Sequence, residues 1–217
     1  AAHVEGRHAE AKQRRDHAEH DHARSERHVA DRFEAWLESR EGGSFLSWVH
    51  MRGPSQDVRT EEDYQLWFTQ WQEAVLSMVT SLKGGEQWQN TMFVIVGTSG
   101  HLLDEQRGFQ GREGLFDNVI QVPLIIRYPQ EEFAGRRVSE QVRTYDLYPT
   151  VLEHLELIAI TEHEGTPLNG YLREEMKGSL WCVLLGYSPS GAHGWMVGLR
   201  HQGFKYMVDV DSGEEWL

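Results

Sequence analysis

A single cysteine, Cys182, is all that the 217-residue chain contains, so no disulfide can close within it and the redox compartment is left open. The thiol sits in the apolar stretch 180–185 and reads as a buried group rather than a nucleophile. No apolar run approaches the roughly 18 residues that a bilayer span requires, so no transmembrane segment is expected. Basic residues are scarce beside acidic ones, 21 Lys and Arg against 34 Asp and Glu. The resulting net charge of -13 argues against nucleic acid or an anionic membrane as the main partner. An initiating methionine and a signal-peptide pattern are missing as well. The chain opens Ala-Ala-His and reads as processed, truncated or partial.

What is present divides into a short polar part and a long patterned one. Residues 1–28 carry six of the twelve histidines, many charges and almost no large apolar side chain. Their composition favours helix but marks no face to bury, so they read as a charged, His-rich helix or arm. His17 and His20 share a helical face that could take a transition metal, with His22 off it. No carboxylate or cysteine set completes such a site, and a solvated helix or flexible arm is the plainer reading.

From Val29 onward the hydrophobic pattern becomes periodic. Phe33, Trp36 and Leu37 mark a short helix that Gly42 and Gly43 stop, and "SFLSWVH" (44–50) reads as a strand. Thr60-Glu61-Glu62-Asp63 resembles a capping box and opens a longer helix. Its apolar stripe runs from Tyr64 through Trp67, Trp71, Ala74 and Met78 to Leu82, and reads as core. "TMFVIVGT" and "NVIQVPLIIRYP" are nearly continuous apolar strands of the kind that parallel sheets cover on both faces. The long polar, glycine-rich stretch between them lies where a parallel sheet exposes ligands beyond its carboxyl ends. "YDLYPTVLEHLEL" reads as a short helix with Pro149 in its first turn and Val151, Leu152 and Leu155 facing inward. The chain closes with a hairpin turning at Gln202-Gly203 and a further turn at Asp211-Ser212-Gly213.

These segments together resemble the C-terminal half of the sulfatases, within the alkaline phosphatase superfamily. "FLSWVHMRGP" is similar to the family's Phe-Leu-x-Val-His strand, and "YQLWFTQWQEAVLSMVTSLK" has the phase of the helix that follows. "NTMFVIVGTSGH" is similar to the strand ending Thr-Ser-Asp-His-Gly, and "GREGLFDNVIQVPLIIRYP" to the Gly-Lys-x-x-x-Tyr-Glu segment with its Pro-Leu-Ile strand. "VRTYDLYPTVLEHLEL", "LNGYL" and "VGLRHQGFKYMVDVDSGEEWL" continue in the family's order.

The resemblance implies a calcium or related divalent ion, held by carboxylates, that neutralises a sulfate ester while a formylglycine attacks sulfur. This sequence departs from that pattern at the chemistry. The nucleophile motif, Cys or Ser followed by x-Pro-x-Arg, occurs nowhere, and the metal aspartate expected before His101 is Gly100. Gln72 stands at the family's helix aspartate, and Arg52-Gly53-Pro54 replaces Asp-Pro-His. His101 matches a ligand position, and Arg112 falls where a lysine contacts the sulfate. The plain alternatives are that His101 caps a loop and that Arg112 pairs with Glu113 or Asp117. Asp104 or Glu105 would stand in for the lost carboxylate only if the loop folded back.

The expected fold is therefore α/β, a partial doubly wound and mostly parallel sheet with a small C-terminal antiparallel hairpin subdomain. It divides into the arm 1–28, a sulfatase-like core 29–178 and the subdomain 179–217. The expected role is a catalytically inactive structural or binding subunit, the alternative being one piece of a metal-dependent sulfuric or phosphoric ester hydrolase. His101 and Arg112 are vestigial catalytic candidates, and His101, Asp104 and Glu105 are the metal candidates. No cofactor is expected, calcium or another divalent ion entering only with the alternative. The expected partner is another protein chain covering the incomplete sheet, with an anionic small ligand at Arg107 and Arg112 as a further possibility. By resemblance alone, a periplasmic or extracellular location is favoured.

Overall fold

The computed structural model describes residues 26–54, 58–106, 109–188 and 194–217, and for residues 105, 106 and 110 the backbone alone. Most of the arm 1–28, with His17, His20 and His22, lies outside the described residues. The chain forms two compact units, Ala1–Thr91 and Met92–Leu217.

In the first unit, helix α1 (26–38) buries Ala30 and Phe33. The Arg40 guanidinium lies 5.1 Å from the Trp36 ring and 4.7 Å from that of Phe45, and bonds to the carbonyls of Gly42 and Gly43. One cation thus closes the helix end and anchors the chain that leaves it. Helix α2 (Glu61–Lys83) begins where Thr60 Oγ1 accepts from the Asp63 N–H, satisfying one of the helix's orphan donors. Its stripe buries Ala74, Met78 and Leu82, while Phe68 and Trp71 stack at 5.7 Å on the more open first half. The Ser77 hydroxyl donates to the Glu34 carboxylate, tying α2 to α1. The strand expected over 44–50 does not form. No described strand pairs with the segment, and Leu46 and Trp48 are 90% and 85% exposed.

The described residues of the second unit hold three antiparallel sheets. β1 (Phe93–Val96) pairs with β4 (Leu124–Arg127), β2 (Leu102–Gln106) with β3 (Phe109–Gly111), and β5 (Cys182–Tyr187), β6 (Trp195–His201), β7 (Phe204–Asp209) and β8 (Glu215–Trp216) form a meander. The doubly wound parallel sheet is therefore corrected. Phe93 faces Arg127 and Val96 faces Leu124, an antiparallel register. A parallel pair needs a crossover that carries the chain back to the start of the first strand. Here the β2–β3 hairpin and the one-turn helix α3 (Asp117–Ile120) stay at the end where β1 leaves off, and Gly97 N–H bonds Pro123 O at 3.0 Å as the chain returns. With one neighbour each among the described residues, β1 and β4 are half-buried rather than enclosed on both faces.

Leu102, Phe109, Leu115, Val119, Met196, Met207 and Trp216 make the core between the β2–β3/α3 segment and the inner face of the meander. Two glycines in the strands make room for Leu115. A Cβ on Gly186 would lie 2.9 Å from its Cδ2, and one on Gly198 3.2 Å from its Cδ1. The β6–β7 turn falls at Gln202–Gly203 as its sequence predicts, both residues at positive φ (48° and 84°). On the outer face of the same meander, Val183, Leu199 and Tyr206 align across three strands, as do Leu185, Val197 and Val208. Trp181 stacks on His201 at 4.0 Å at one end, and Tyr187 pairs with Trp195 at the other.

Helix α4 (Leu147–His154) forms where expected, with Pro149 in its first turn, but it buries Pro149 and Thr150 rather than Leu155. Leu155 stands outside the helix, and Glu156 at φ 55° turns the chain away, leaving Leu155 exposed.

Candidate functional site

β1 delivers the chain to Thr98-Ser99-Gly100-His101, the rim where the sequence places a degenerate metal site. The rim is closed by backbone. Gly100 N–H donates to Val119 O at 2.6 Å, and His101 N–H to Asn118 O at 3.0 Å. A Cβ on Gly100 would stand 1.8 Å from the Asn118 carbonyl oxygen and 2.8 Å from its carbon. Position 100 thus has neither an oxygen ligand nor the space for one. His101 is buried, with Cε1 against Gly111, the residue that faces Leu102 across the β2–β3 pair.

The other described candidates stand at the surface. Asp104 is exposed on β2, and Arg112 is exposed beyond β3. The side chain of Glu105 and all of Arg107 lie outside the described residues. Asp117, one of the carboxylates considered for Arg112, receives Lys205 Nζ at 2.8 Å and Arg200 Nη2 at 3.3 Å. Glu113, the other, accepts from the Ser188 hydroxyl at 3.2 Å. Among the described residues no three His, Cys, Asp or Glu side chains gather as a metal site. A hard divalent ion needs a shell of oxygen ligands, and the residues at this rim do not fit one.

A buried, densely hydrogen-bonded polar cluster lies elsewhere, around Asp146, and sequence reasoning missed it. Asp146 is fully buried ahead of α4. Arg143 grips its carboxylate with Nε and Nη2, the latter at 2.8 Å, and the backbone N–H groups of Arg143 and Thr166 bond it at 2.8 and 2.9 Å. Arg143 Nη1 also reaches Trp181 O at 3.1 Å, just before β5. Thr150 Oγ1 donates to Asp146 O at 2.6 Å and accepts from the Leu168 N–H at 2.9 Å. Asn169 completes the chain, donating to Thr150 O and accepting from the Tyr128 hydroxyl. Burial, with the charges of Glu132 and Glu153 adding to it, pushes Tyr128 up to about 12. These bonds tie the stretches around Tyr128, Arg143–Thr150 and Thr166–Asn169 to one another, so the cluster clamps segments together. Its one local signal is Arg143-x-x-Asp146, a charge pair ahead of an apolar helix.

No protein-family model and no curated protein matches the sequence. Solved structures do. A phosphonate monoester hydrolase of Agrobacterium radiobacter superposes with a TM-score of 0.59 at 20% identity, over 70% of this chain and 33% of that one. A Bacteroides thetaiotaomicron protein assigned to the sulfatases superposes with 0.63 at 16% identity, over 86% of this chain and 54% of its own. A Bacteroides fragilis protein likewise assigned gives 0.58 at 18% identity, over 86% and 42%. The fold is sulfatase-like. It is shared with that phosphonate monoester hydrolase, and this chain spans between 33% and 54% of the length of the three proteins. Among the described residues, no helix is long and apolar enough to cross a membrane.

Proposed function

We propose that this chain is a sulfatase-like domain that does not hydrolyse esters and serves as a structural or binding subunit of a larger assembly. The observation that carries this reading is position 100. Where the resemblance calls for a metal carboxylate, the backbone of residues 118–119 fills the space, so an aspartate could not return without moving α3. Segment 44–50 supports the second half of the reading, because its bare Leu46 and Trp48 are large apolar side chains of the kind that another chain covers. The test is turnover of an aryl sulfate and an aryl phosphonate monoester by the purified chain, with and without calcium or manganese, alongside elemental analysis. We expect no turnover above the buffer rate and no stoichiometric metal. Turnover that responds to added metal would refute the reading.

A second reading is that the chain is one piece of an ester hydrolase whose nucleophile lies on other residues or another polypeptide. What favours it is coverage, since the chain spans only 33% to 54% of the hydrolase-like structures it matches. Native mass spectrometry of the purified material separates the two. A co-purifying chain bearing Cys-or-Ser-x-Pro-x-Arg with a retained divalent ion supports this second reading, and unrelated subunits support the first.

A further inference from the structure

We infer that the outer face of the β5–β8 meander is an interface between two copies of this chain, packed sheet on sheet. The inference deepens the proposed binding role by naming a surface and its partner. An antiparallel sheet normally turns polar side chains to solvent on the face away from its core, but β5, β6 and β7 place apolar or aromatic residues at nearly every outward position, while Arg200, Lys205 and Asp209 lie at inward ones. Their inner side chains reach the core at Met196 and Met207, but the outer ones are bare: Leu185 is 71% exposed, Val183 62% and Phe204 75%. With whole side-chain areas of roughly 150–250 Å² for the aromatic residues, the open apolar face is on the order of 1,000 Å². The largest apolar patch of an ordinary soluble monomer is about 300–600 Å², and one side of a stable interface is about 800 Å². The face is too large for the first and sufficient for the second.

The choice of a second copy rests on charge. No Lys, Arg, Asp or Glu occupies an outward position of β5, β6 or β7, and Glu215 at the β8 edge is the single outward charge of the meander, so the face has little with which to select an oppositely charged partner. The chain as a whole carries -13, which makes most of its surface repel a second copy, and on the strands of this face Glu215, at the β8 edge beside Val208 and Tyr206, is the one carboxylate that two copies would have to accommodate. A twofold contact asks for one patch complementary to itself, and two sheets of equal twist stack about 10 Å apart with strands within about 30°.

The test is sedimentation velocity of the whole chain from about 1 to 100 μM, for the unaltered protein and for Leu185→Glu, Val183→Lys and, as control, Leu76→Glu on α2, with far-UV circular dichroism confirming the fold. We expect a reversible dimer whose Kd rises at least 100-fold in Leu185→Glu and Val183→Lys and is unchanged in Leu76→Glu. If Leu185→Glu does not fold, Val183→Lys decides. A folded monomer up to 100 μM, or a dimer indifferent to the folded outer-face variants, would overturn the inference. Ester turnover in the separate assay would overturn the non-catalytic reading and leave this interface standing, whereas a monomer without turnover would do the reverse.

Discussion

Gly100 lies against the Asn118 carbonyl so closely that a Cβ on it would stand 1.8 Å from the oxygen, while its own N–H bonds Val119 O at 2.6 Å. The missing carboxylate at this position is therefore tied to a rearranged backbone and not only to a changed side chain. Gly100→Asp must push the 118–119 peptide away, break that hydrogen bond and disturb the packing of Val119 in the core. The expected cost is about 3 kcal/mol or more, read as a lowered urea midpoint with an unchanged slope. Added calcium should recover none of it. A stable Gly100→Asp protein whose midpoint rises with calcium would show that the rim still accepts the ion.

Asp146 makes a different prediction, because its neighbours were built around a charge. Asp146→Ala strands the Arg143 guanidinium, whose side chain is only 11% exposed, and leaves the N–H groups of Arg143 and Thr166 without their acceptor. Breaking one side of a buried pair costs about 3–5 kcal/mol. Replacing both partners together, as Arg143→Met with Asp146→Leu, should cost less than the single change. Equal losses in chemical denaturation for the single and double variants would show that the clamp works by shape and not by charge.

The elements most legible in the sequence are those fixed by local chemistry. Thr60 caps α2 because a hydroxyl three residues ahead of an N–H is a local arrangement, and Gln202-Gly203 turns because the tight turn asks for two positive φ values. Strand direction is another matter. The apolar run at Phe93–Val96 announces burial but not which neighbour it takes or which way that neighbour runs, and the antiparallel pairing to Leu124–Arg127 follows from where the chain re-enters at Pro123. The 44–50 segment has a strand's composition without a strand's neighbour. The Asp146 cluster is hidden for a related reason: Tyr128, the Arg143–Thr150 stretch and the Thr166–Asn169 stretch are separate in sequence and converge only in the fold. At the candidate site the resemblance marked Gly100 as a departure, but only the coordinates of Asn118 explain why it is a glycine.

Asp117 ties the loop after β3 to the meander through Lys205 and Arg200, and this sets a pH response. Burial alone would raise its carboxyl, but the hydrogen bond and charge of Lys205, with Arg200 behind them, outweigh it and hold the group below its ordinary value of 3.8. A carboxyl depressed in the folded state contributes stability above its unfolded value and loses it as pH falls through the folded one. The side chain is 50% exposed, so solvent screening limits the contribution to about 1 kcal/mol or less. Asp117→Asn should flatten the fall of the urea midpoint below about pH 4 and remove part of its salt dependence. An unchanged acid profile would assign that stability to other carboxylates.

Cys182 reports on the seam between this clamp and the meander. Burial raises its thiol above the ordinary value, the Arg143 charge working against the shift and that of Asp146 with it. Cys182 opens β5 opposite Arg200, one residue after the Trp181 carbonyl that Arg143 holds. Since the thiolate is the reactive form, a raised value slows alkylation at neutral pH. Labelling by iodoacetamide at about pH 7.5 should run several-fold slower than that of a free thiol, and should reach the free rate in denaturing urea. Arg143→Met removes both the bond to Trp181 and the charge that favours the thiolate. It therefore pulls the rate two ways: a higher thiol value slows labelling, while a loosened seam speeds it. The pH profile separates these effects, because a loosened seam raises the rate at every pH and a shifted thiol moves only the midpoint. A Cys182 that labels at the free-thiol rate in the native protein would mean that the 143–146 segment does not close over the start of β5.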